Sequence, residues 1–228
     1  ETIRTHETAY NIYERRLIMA YGCDTATIVT TSRLNSIIAK GYKFIGRYLN
    51  YLLGSHDNIS VEETQRISDA GLYIVSIYQT EYTTDPTDFT SQRGTSDVTD
   101  AISLATNLGQ PANTPIYFAV DCDATLSEIE TYIVPYFQAI KNVLNDSSQN
   151  PNGYKMGIYG SRLVCGYIRG TYSPTERYTW VAAANWRGDF SDWNIKQTSG
   201  QIGIGSGSGY ILVDEDESTA YGGGGWQV

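Results

Sequence analysis

The chain has 228 residues, 41% of them hydrophobic, and a formal net charge of −9 from 25 acidic and 16 basic residues. This length allows a sizeable core, and the acidic excess without any basic stripe argues against nucleic acid or an anionic membrane surface as a partner. No apolar stretch reaches the roughly 18 residues of a membrane-spanning helix, and no leader is visible, so we expect no membrane insertion and no signal peptide in the chain as given. Because it begins at Glu1 rather than Met, we expect a processed form or an excised domain, with other domains in a longer parent chain.

The first half of the chain alternates predicted strands with predicted helices. Residues 1–16 are polar without a clear period and are interpreted as an N-terminal extension, ahead of a single domain over residues 17–228. Apolar runs predict strands at 17–24, 42–48 and 72–79, with helices at 32–40, 60–71 and about 96–108. Ser60 and Glu63 form a capping box at the start of the second helix.

The central predicted strand covers residues 116–123, where an apolar run ends in two carboxylates. Side chains alternate along a strand, so Asp121 and Asp123 point to the same side, with their Cα atoms roughly 6–7 Å apart. Each charge then influences the protonation of the other. A strand that is apolar on both faces and presents acids at its C-terminal end is typical of a parallel sheet at a ligand site.

In the second half the strands continue while the helices fade. The longest helix is predicted at 127–145, with Ser127 and Glu130 as a capping box and with Pro135 bending or splitting it. A strand at 155–160 and a helix at 161–170 precede three further strands, at 178–184, 193–198 and 210–216. A Gly/Ser-rich connection joins the last two strands, and the glycines at 222–225, just before Trp226, predict a loose tail.

Eight predicted strands with helices in most of the gaps favour an α/β fold, a closed (β/α)8 TIM-type barrel. The weak helical signal after the sixth strand keeps an open doubly wound sheet as the alternative. In a barrel, the C-terminal ends of the strands form the active face. Asp24, Asp121, Asp123, Asp214 and Asp216 stand at the ends of strands one, four and eight, so they are expected to converge on one mouth.

Clustered carboxylates bind hard cations, perform general acid and base catalysis, or hydrogen-bond the hydroxyl groups of a sugar. Each strand-end Asp has an alternative use as a cap of the turn that follows. Aromatic side chains provide flat surfaces for sugar rings. The residues expected at the mouth beside the acids, as substrate-binding candidates, are Tyr78, Tyr159, Trp180, Trp186, Gln79 and Arg47. Arg47 has a plain structural salt bridge as its alternative role.

The chain resembles a glycoside-hydrolase-like family catalogued as domain of unknown function 1906, a relative of the glycoside hydrolase family 25 lysozymes. The segments that carry the resemblance, in chain order, are YGCDTA, GYKFIGRYLN, AGLYIVSIYQ, IYFAVDCD, MGIYGS, TWVAAANW, a Gln-bearing strand seven with Gln197, and VDED. The resemblance implies a barrel with shortened or missing last helices, bacterial cell-wall glycan as the substrate class, and an extracellular or wall-associated location. It implies neither a cofactor nor a metal.

The resemblance also implies a catalytic set. Asp24, Asp121 and Asp214 match acids of the lysozymes, whereas Asp123 stands where the lysozymes have their catalytic Glu. The shorter aspartate withdraws a proton donor by about 1 Å, a displacement that can lower a rate about a hundredfold. Asp123 is then the general acid, and we expect the nearby carboxylates to raise its pKa. Asp121 remains ionised, and Asp24 and Asp214 hold hydroxyl groups.

We therefore expect a glycosidase-like, lysozyme-like barrel that acts on peptidoglycan or a related wall polysaccharide. The missing Glu motivates an alternative, a non-catalytic barrel that only binds cell-wall glycan. A third hypothesis, a divalent-cation site in the acid cluster, ranks lowest because no loop shows a recognised cation spacing.

Overall fold

The structure is a computed structural model that describes residues 20–50, 58–80, 84–172, 178–219 and 221–228. The predicted N-terminal extension and the start of the predicted first strand lie outside the described residues. The strands within these ranges are β1 (Ala20–Thr25), β2 (Phe44–Asn50), β3 (Tyr73–Tyr78), β4 (Pro115–Val120), β5 (Lys155–Gly160), β6 (Tyr178–Val181), β7 (Ile195–Gln197), β8 (Ile202–Ile204) and β9 (Ile211–Ser218).

Eight of the nine described strands form a closed barrel. Their order is β1-β2-β3-β4-β5-β6-β7-β9, and β9 pairs with β1 to close the ring. β8, which the sequence pattern did not predict, pairs with β9 outside the ring. The closed barrel with its surrounding helices confirms the predicted TIM-type fold. It is incompatible with the open sheet, whose two edge strands would not meet.

The last strand of the barrel runs in the opposite direction to the others. β1 to β7 are parallel neighbours, whereas β9 is antiparallel to both β1 and β7. Two consecutive parallel strands must be joined by a long crossover, usually a helix, whereas a tight turn can join two antiparallel strands. Here a turn between β8 and β9 reverses the chain, with Gly205 and Gly207 at φ of 72° and 54°. The mouth therefore receives the N-terminal half of β9.

The helices surround the strands mainly over the first five gaps. Their bounds are α1 (Thr31–Ala39), α2 (Val61–Asp69), α3 (Ser91–Asn107), α4 (Leu126–Glu128), α5 (Val134–Leu144), α6 (Arg162–Thr171) and α7 (Tyr221–Gly224). Between β6 and β9 the described residues contain one single-turn 3-10 helix, Gly207–Gly209. This confirms that the last helices of the barrel are missing.

Two predicted capping boxes differ in outcome. The Ser60 side chain accepts a hydrogen bond from the Glu63 backbone N–H at 3.2 Å, so it caps α2 as predicted. The Glu63 carboxylate does not return the bond, because it accepts from Arg47 instead, so only half of this capping box is formed. The prediction of Ser127 and Glu130 was wrong, because Thr125 and Glu128 form the reciprocal cap at the start of α4. The break predicted at Pro135 is a π-helical turn, Ile129–Ile133, between α4 and α5, and it places the ring, which lacks an N–H, in the first turn of α5.

Alternation along the strands separates two apolar regions. Between the barrel wall and the helices lies the main core, which contains Ile45, Ile74, Phe118 and Ile158 among others. The barrel interior holds a smaller cluster, formed by Phe44, Val75, Ile77, Tyr117, Ala119, Trp180 and Ile195. The interior is therefore filled below the mouth, as in other small barrels.

The C-terminal residues close the base of the barrel, so the predicted loose tail was wrong. The Tyr117 hydroxyl donates to the Gly223 carbonyl at 2.7 Å. Trp226 is 2% exposed, and its backbone exchanges two hydrogen bonds of 2.8 Å with Ile74 of β3. The glycines allow close contact, since Gly223 has a φ of 58° and lies against Ile195.

Candidate active site

A cavity of about 440 Å³ opens at the mouth of the barrel. Its volume lies within the range of small-molecule sites. Its lining combines carboxylates, amides and aromatic rings, and consists of Tyr48, Gln79, Asp121, Tyr159, Ala182, Ala183, Ala184, Trp186, Gln197, Gly200 and Asp214. Side chains from β2, β5, β7 and β9, and from the residues that follow β3, β4 and β6, therefore face one space.

Gln197 fixes the floor of this cavity. Its side-chain N–H donates to Asp24 Oδ2 at 2.7 Å, and its carbonyl oxygen accepts from the Tyr159 hydroxyl at 3.1 Å and the Ala183 N–H at 3.0 Å. The amide is thus held at both ends, so its donor is directed at Asp24. β7 contributes this residue because its alternation turns Ile195 and Gln197 into the barrel.

Asp24 is a buried carboxyl group, 2% exposed, at the end of β1. Burial, followed by the charge of Asp214, raises the pKa of Asp24 to about 7, against the lowering effect of its hydrogen bond from Gln197. Asp24 and Asp214 are direct partners in the antiparallel pairing of β1 and β9. The register of the closing strands therefore brings two acids from opposite ends of the sequence side by side.

Asp121 and Asp214 face the cavity itself. Burial raises the pKa of Asp121, partly offset by a hydrogen bond of 3.3 Å from the Gln79 side chain. Burial, followed by the charge of Asp121, raises the pKa of Asp214. Two carboxyl groups that each disfavour ionisation of the other, in one cavity, are a common arrangement for acid and base chemistry.

Asp123 lies outside the lining of the cavity. Its Oδ1 accepts from the Arg187 backbone N–H at 2.9 Å, and its Oδ2 forms an ion pair with the Arg187 guanidinium at 3.1 Å. The side chain is 36% exposed, and its partner belongs to the loop after β6. In this arrangement Asp123 holds two loops together rather than facing the space where Asp121 and Asp214 meet.

The comparison with known proteins places this site in a family. A model described as "Rv2525c-like, glycoside hydrolase-like domain" matches residues 35–218. The chain belongs to this family. The predicted membership is confirmed, and Asp121, Gln197 and Asp214 all lie within the matched part of this glycoside hydrolase-like domain.

Similar proteins extend the comparison. YbfG of Bacillus subtilis (strain 168), itself uncharacterized, is 36% identical over an aligned length of 212, with 86% of this chain and 28% of YbfG covered. The chain therefore spans about a third or less of such a relative. The crystal structure of the Tat-secreted protein Rv2525c of Mycobacterium tuberculosis, in complex with L-tartrate, has a TM-score of 0.74 at 21% identity, with 91% of this chain and 98% of the other covered.

Solved structures of cell-wall lytic enzymes share the fold at lower similarity. The autolysin LytC of Streptococcus pneumoniae, in complex with a synthetic peptidoglycan ligand, has a TM-score of 0.59 at 14% identity, with 87% of this chain and 46% of LytC covered. A family 25 glycosyl hydrolase of Bacillus anthracis has a TM-score of 0.52 at 10% identity, with 87% and 88% covered. At these identities the likeness concerns the fold, and it confirms the resemblance to family 25 lysozymes.

Several residues expected at the mouth of the glycoside hydrolase-like domain line its cavity. Asp121, Asp214, Gln79, Tyr159, Trp186 and Gln197 are all part of the lining, and Asp24 lies beneath them through its bond to Gln197. The structure thus brings together acids from β1, β9 and the end of β4, although Asp214 reaches the mouth from the N-terminal half of the antiparallel β9 rather than from the C-terminal end that the strand pattern predicted.

Three of the residues expected to bind substrate lie elsewhere. Tyr78 is 4% exposed and turns outward, where its hydroxyl donates to Asp100 of α3 at 3.0 Å, because it alternates with the inward-facing Gln79. Trp180 does face the interior, but it is fully buried below the mouth, and its indole N–H donates to Asp216 at 3.0 Å.

Arg47 is the third correction. It is fully buried on the outer face of β2, where its Nε donates to Glu63 Oε1 of α2 at 2.7 Å. The structural salt bridge is therefore its role, and Arg47 cannot reach the cavity across the barrel wall. Alternation explains the outcome, since Phe44, Gly46 and Tyr48 occupy the inward face of the same strand.

One residue of the cavity, Tyr48, had no role in the sequence reasoning, and one expected acid, Asp216, lies below the mouth. Tyr48 lines the cavity. It lies two residues beyond Gly46 on β2, so strand alternation alone could have placed it on the inward face. Asp216 was expected at the mouth with the other acids, but it is 1% exposed. It lies two residues further along β9 than Asp214, and therefore deeper in the barrel.

The described residues contain neither a membrane-spanning helix nor a cluster of metal-ligating side chains. No helix among them is long and apolar enough to span a membrane. Within the same part of the chain, no group of three or more His, Cys, Asp or Glu side chains is arranged to hold a metal ion.

Proposed function

We propose that this glycoside hydrolase-like domain binds and hydrolyses the glycan of bacterial peptidoglycan, or a related wall polysaccharide, in the cavity at the barrel mouth. One observation carries the proposal: Asp121 and Asp214, both with raised pKa values, face the same cavity of about 440 Å³. Glycosidases use two such carboxyl groups, one as proton donor and one ionised.

The remaining lining supports a sugar ligand. Tyr48, Tyr159 and Trp186 add aromatic rings, which suit the apolar faces of sugar rings, and Gln79 adds an amide that suits hydroxyl groups. The fold shared with LytC, which was solved with a peptidoglycan ligand, points to the same substrate class. A location outside the cell, at the wall, follows from this substrate, and Rv2525c is itself a Tat-secreted protein.

The surroundings of each carboxyl group determine the catalytic role that we propose for it. Asp214 is the proton donor, because burial and the charge of Asp121 both favour its neutral form. Asp121, whose ionised form is favoured by the hydrogen bond from the amide of Gln79, supplies the negative charge that stabilises the oxocarbenium-like transition state. Asp24, held by Gln197, supports Asp214 from below. The sequence instead predicts Asp123 as the donor, a role that requires its ion pair with Arg187 to open.

That ion pair favours a second function, a non-catalytic barrel that binds wall glycan. Both carboxyl oxygens of Asp123 are engaged by Arg187, and its side chain lies outside the lining of the cavity. If the chemistry depends on the position of Asp123, the closed pair leaves only a binding cleft. The two functions differ in whether new reducing ends appear.

The test is the release of reducing ends from purified peptidoglycan by the native chain and by Asp121→Asn, Asp214→Asn and Asp123→Asn. We expect Asp121→Asn and Asp214→Asn each to lower release by about a hundredfold or more, and Asp123→Asn to lower it by less than about tenfold. The matched control is Asp189→Asn, which removes one exposed carboxylate from the loop after β6.

The outcomes separate the alternatives. Loss of release in Asp123→Asn with retention in Asp214→Asn would transfer the donor role to Asp123. A folded native chain that sediments with peptidoglycan but releases no reducing ends would establish the binding barrel.

A further inference from the structure

Asp216 lies directly beneath the cavity and is enclosed by protein. Its exposed fraction is 1%, and it pairs across the sheet with Gly22 of β1 and Gln197 of β7. One carboxyl oxygen, Oδ1, accepts from the Trp180 indole N–H at 3.0 Å. The other, Oδ2, has no hydrogen-bond donor among the described residues. A buried carboxylate oxygen without a donor is unfavourable unless a proton resides there.

The neighbour that could share such a proton is Asp24. The two carboxyl groups lie within hydrogen-bonding contact, and both are buried. Two ionised carboxylates in that position would repel each other in a space without water, so one proton between them removes both the repulsion and the unsatisfied oxygen. A hydrogen bond between two carboxyl groups forms only when one of them is protonated.

The surroundings decide which of the two holds the proton. Asp24 receives a second donor from Gln197 at 2.7 Å and lies next to the cavity, and both features favour its ionised form. Asp216 receives only the indole N–H and lies deeper, and burial followed by the charge of Asp24 raises its pKa well above the ordinary value. The proton therefore belongs on Asp216.

We propose that Asp216 is a positioning residue of the site: it stays protonated at neutral pH and donates a hydrogen bond to Asp24, which favours the ionised form of Asp24 and fixes it beneath Asp214. The catalytic consequence rests on the proposed function, whereas the shared proton does not. Asp216 itself does not face the cavity, so it acts through Asp24.

Other ionisable groups surround this pair, on its own strands and on neighbouring ones. They are Asp214 on β9, Asp121 on β4, Tyr159 on β5, Cys23 on β1, and Tyr42 just before β2. The acids among them oppose a further negative charge, and the Tyr and Cys groups, whose pKa values are raised, are neutral at pH 7. The Trp180 indole and the Gln197 amide are the neutral donors to the pair.

The test compares Asp216→Asn, Asp216→Leu and the control Asp189→Asn. Asparagine keeps an acceptor for Trp180 and a donor for Asp24 but does not titrate, whereas leucine has neither. In the native chain, a proton that is bound only in the folded state makes stability fall as pH rises above the ordinary aspartate range. We therefore expect the midpoint of thermal unfolding of Asp216→Asn to rise relative to the native chain between pH 5 and pH 8. Asp189→Asn should show no such trend.

The second measurement is the pH dependence of glycan release, or of glycan binding if no release is found. Asp216→Asn should keep the acidic limb of the native profile. Asp216→Leu should move that limb to higher pH by about one unit, because Asp24 loses a hydrogen bond that favours its ionised form. At pH 6 this corresponds to a loss of about tenfold relative to Asp216→Asn.

Two results would overturn the proposal. A stability difference between Asp216→Asn and the native chain that stays constant from pH 5 to pH 8 would show that no proton is shared. Coinciding pH profiles for the Asn and Leu variants would show that Asp216 does not position Asp24. If the chain neither releases nor binds glycan, the proposed function fails while the stability measurement still decides the shared proton.

Discussion

The outer and inner faces of the barrel wall near β1 and β2 differ in how their buried charges are paired. On the outer face, Arg47 and Glu63 form a balanced pair, and the Arg47 guanidinium also donates to the Thr25 carbonyl at 2.5 Å. On the inner face, Asp24 and Asp216 are buried together with no cation among their described hydrogen-bond partners. The outer pair joins β2 to α2, whereas the inner pair carries a charge that the fold does not neutralise.

The outer pair is therefore suited to stabilising the fold, and the inner pair to chemistry that exchanges protons. A buried ion pair with all its hydrogen bonds made is a fixed part of the fold, and removing one partner exposes the other to a large penalty. Buried acids without a cation instead have raised pKa values, which is useful only where protons are exchanged. The rim pair of Asp123 and Arg187 is a third case, since it is half exposed and joins two loops.

The largest expected effect comes from breaking the outer pair. Arg47→Met leaves the Glu63 carboxylate buried without its cation, and we expect the free energy of unfolding to fall by about 3–5 kcal/mol. Urea denaturation of the purified variant measures this loss. The double variant Arg47→Met/Glu63→Leu should recover part of it, because no charge is then left unpaired. A loss below about 1 kcal/mol in the single variant would contradict the structural role of Arg47.

On the inner face, removal of an acid should raise the free energy of unfolding relative to the native chain as pH rises from 5 to 8. The pKa of Asp24 in the folded chain is about 7, above its ordinary value, so its contribution to stability is present at low pH and is lost as pH rises through that range. Asp24→Asn does not titrate and should gain about 2–3 kcal/mol relative to the native chain between pH 5 and pH 8. Urea denaturation at both pH values tests this, and an unchanged difference would mean that Asp24 ionises normally.

The smallest effect is expected at the rim. Arg187→Ala removes an ion pair whose side chains are 50% and 36% exposed, and the backbone N–H of residue 187 still donates to Asp123. We expect a change of about 0–1 kcal/mol in the free energy of unfolding, reduced further by high salt. Urea denaturation at low and high salt measures it. A loss above about 2 kcal/mol would show that the pair is part of the fold rather than a removable contact between loops.

Strand periodicity and caps were enough to predict the architecture up to β5. Apolar runs with capping residues such as Ser60 mark local structure, and a helix between consecutive strands implies parallel pairing. The direction of β9 could not be read in this way, because the alternation of Ile211, Val213 and the acids is the same in both directions along a strand. The packing of Trp226 against β3 was equally hidden, since the run of glycines before it indicates only a flexible chain.

The candidate site was predictable where strand ends converge and unpredictable where neighbours decide. Asp121 and Gln79 follow directly from strand ends. Tyr78 and Gln79 were both expected at the mouth, although adjacent residues of a strand point to opposite faces. The position of Asp123 depends on Arg187, which arrives from a distant loop, and no local pattern in the sequence links the two.

Closure of the ring by β1 and β9 also determines when the site can exist. Asp24 stands near the start of the described chain and Asp214 near its end, and they become neighbours only when these two strands pair. Contacts between residues so far apart in sequence form late, because a long loop must close before they stabilise the chain. During synthesis, the first strands can assemble with their helices while the acids remain apart. The catalytic chemistry proposed for the mouth is therefore unavailable to any partly folded or C-terminally shortened chain that lacks β9.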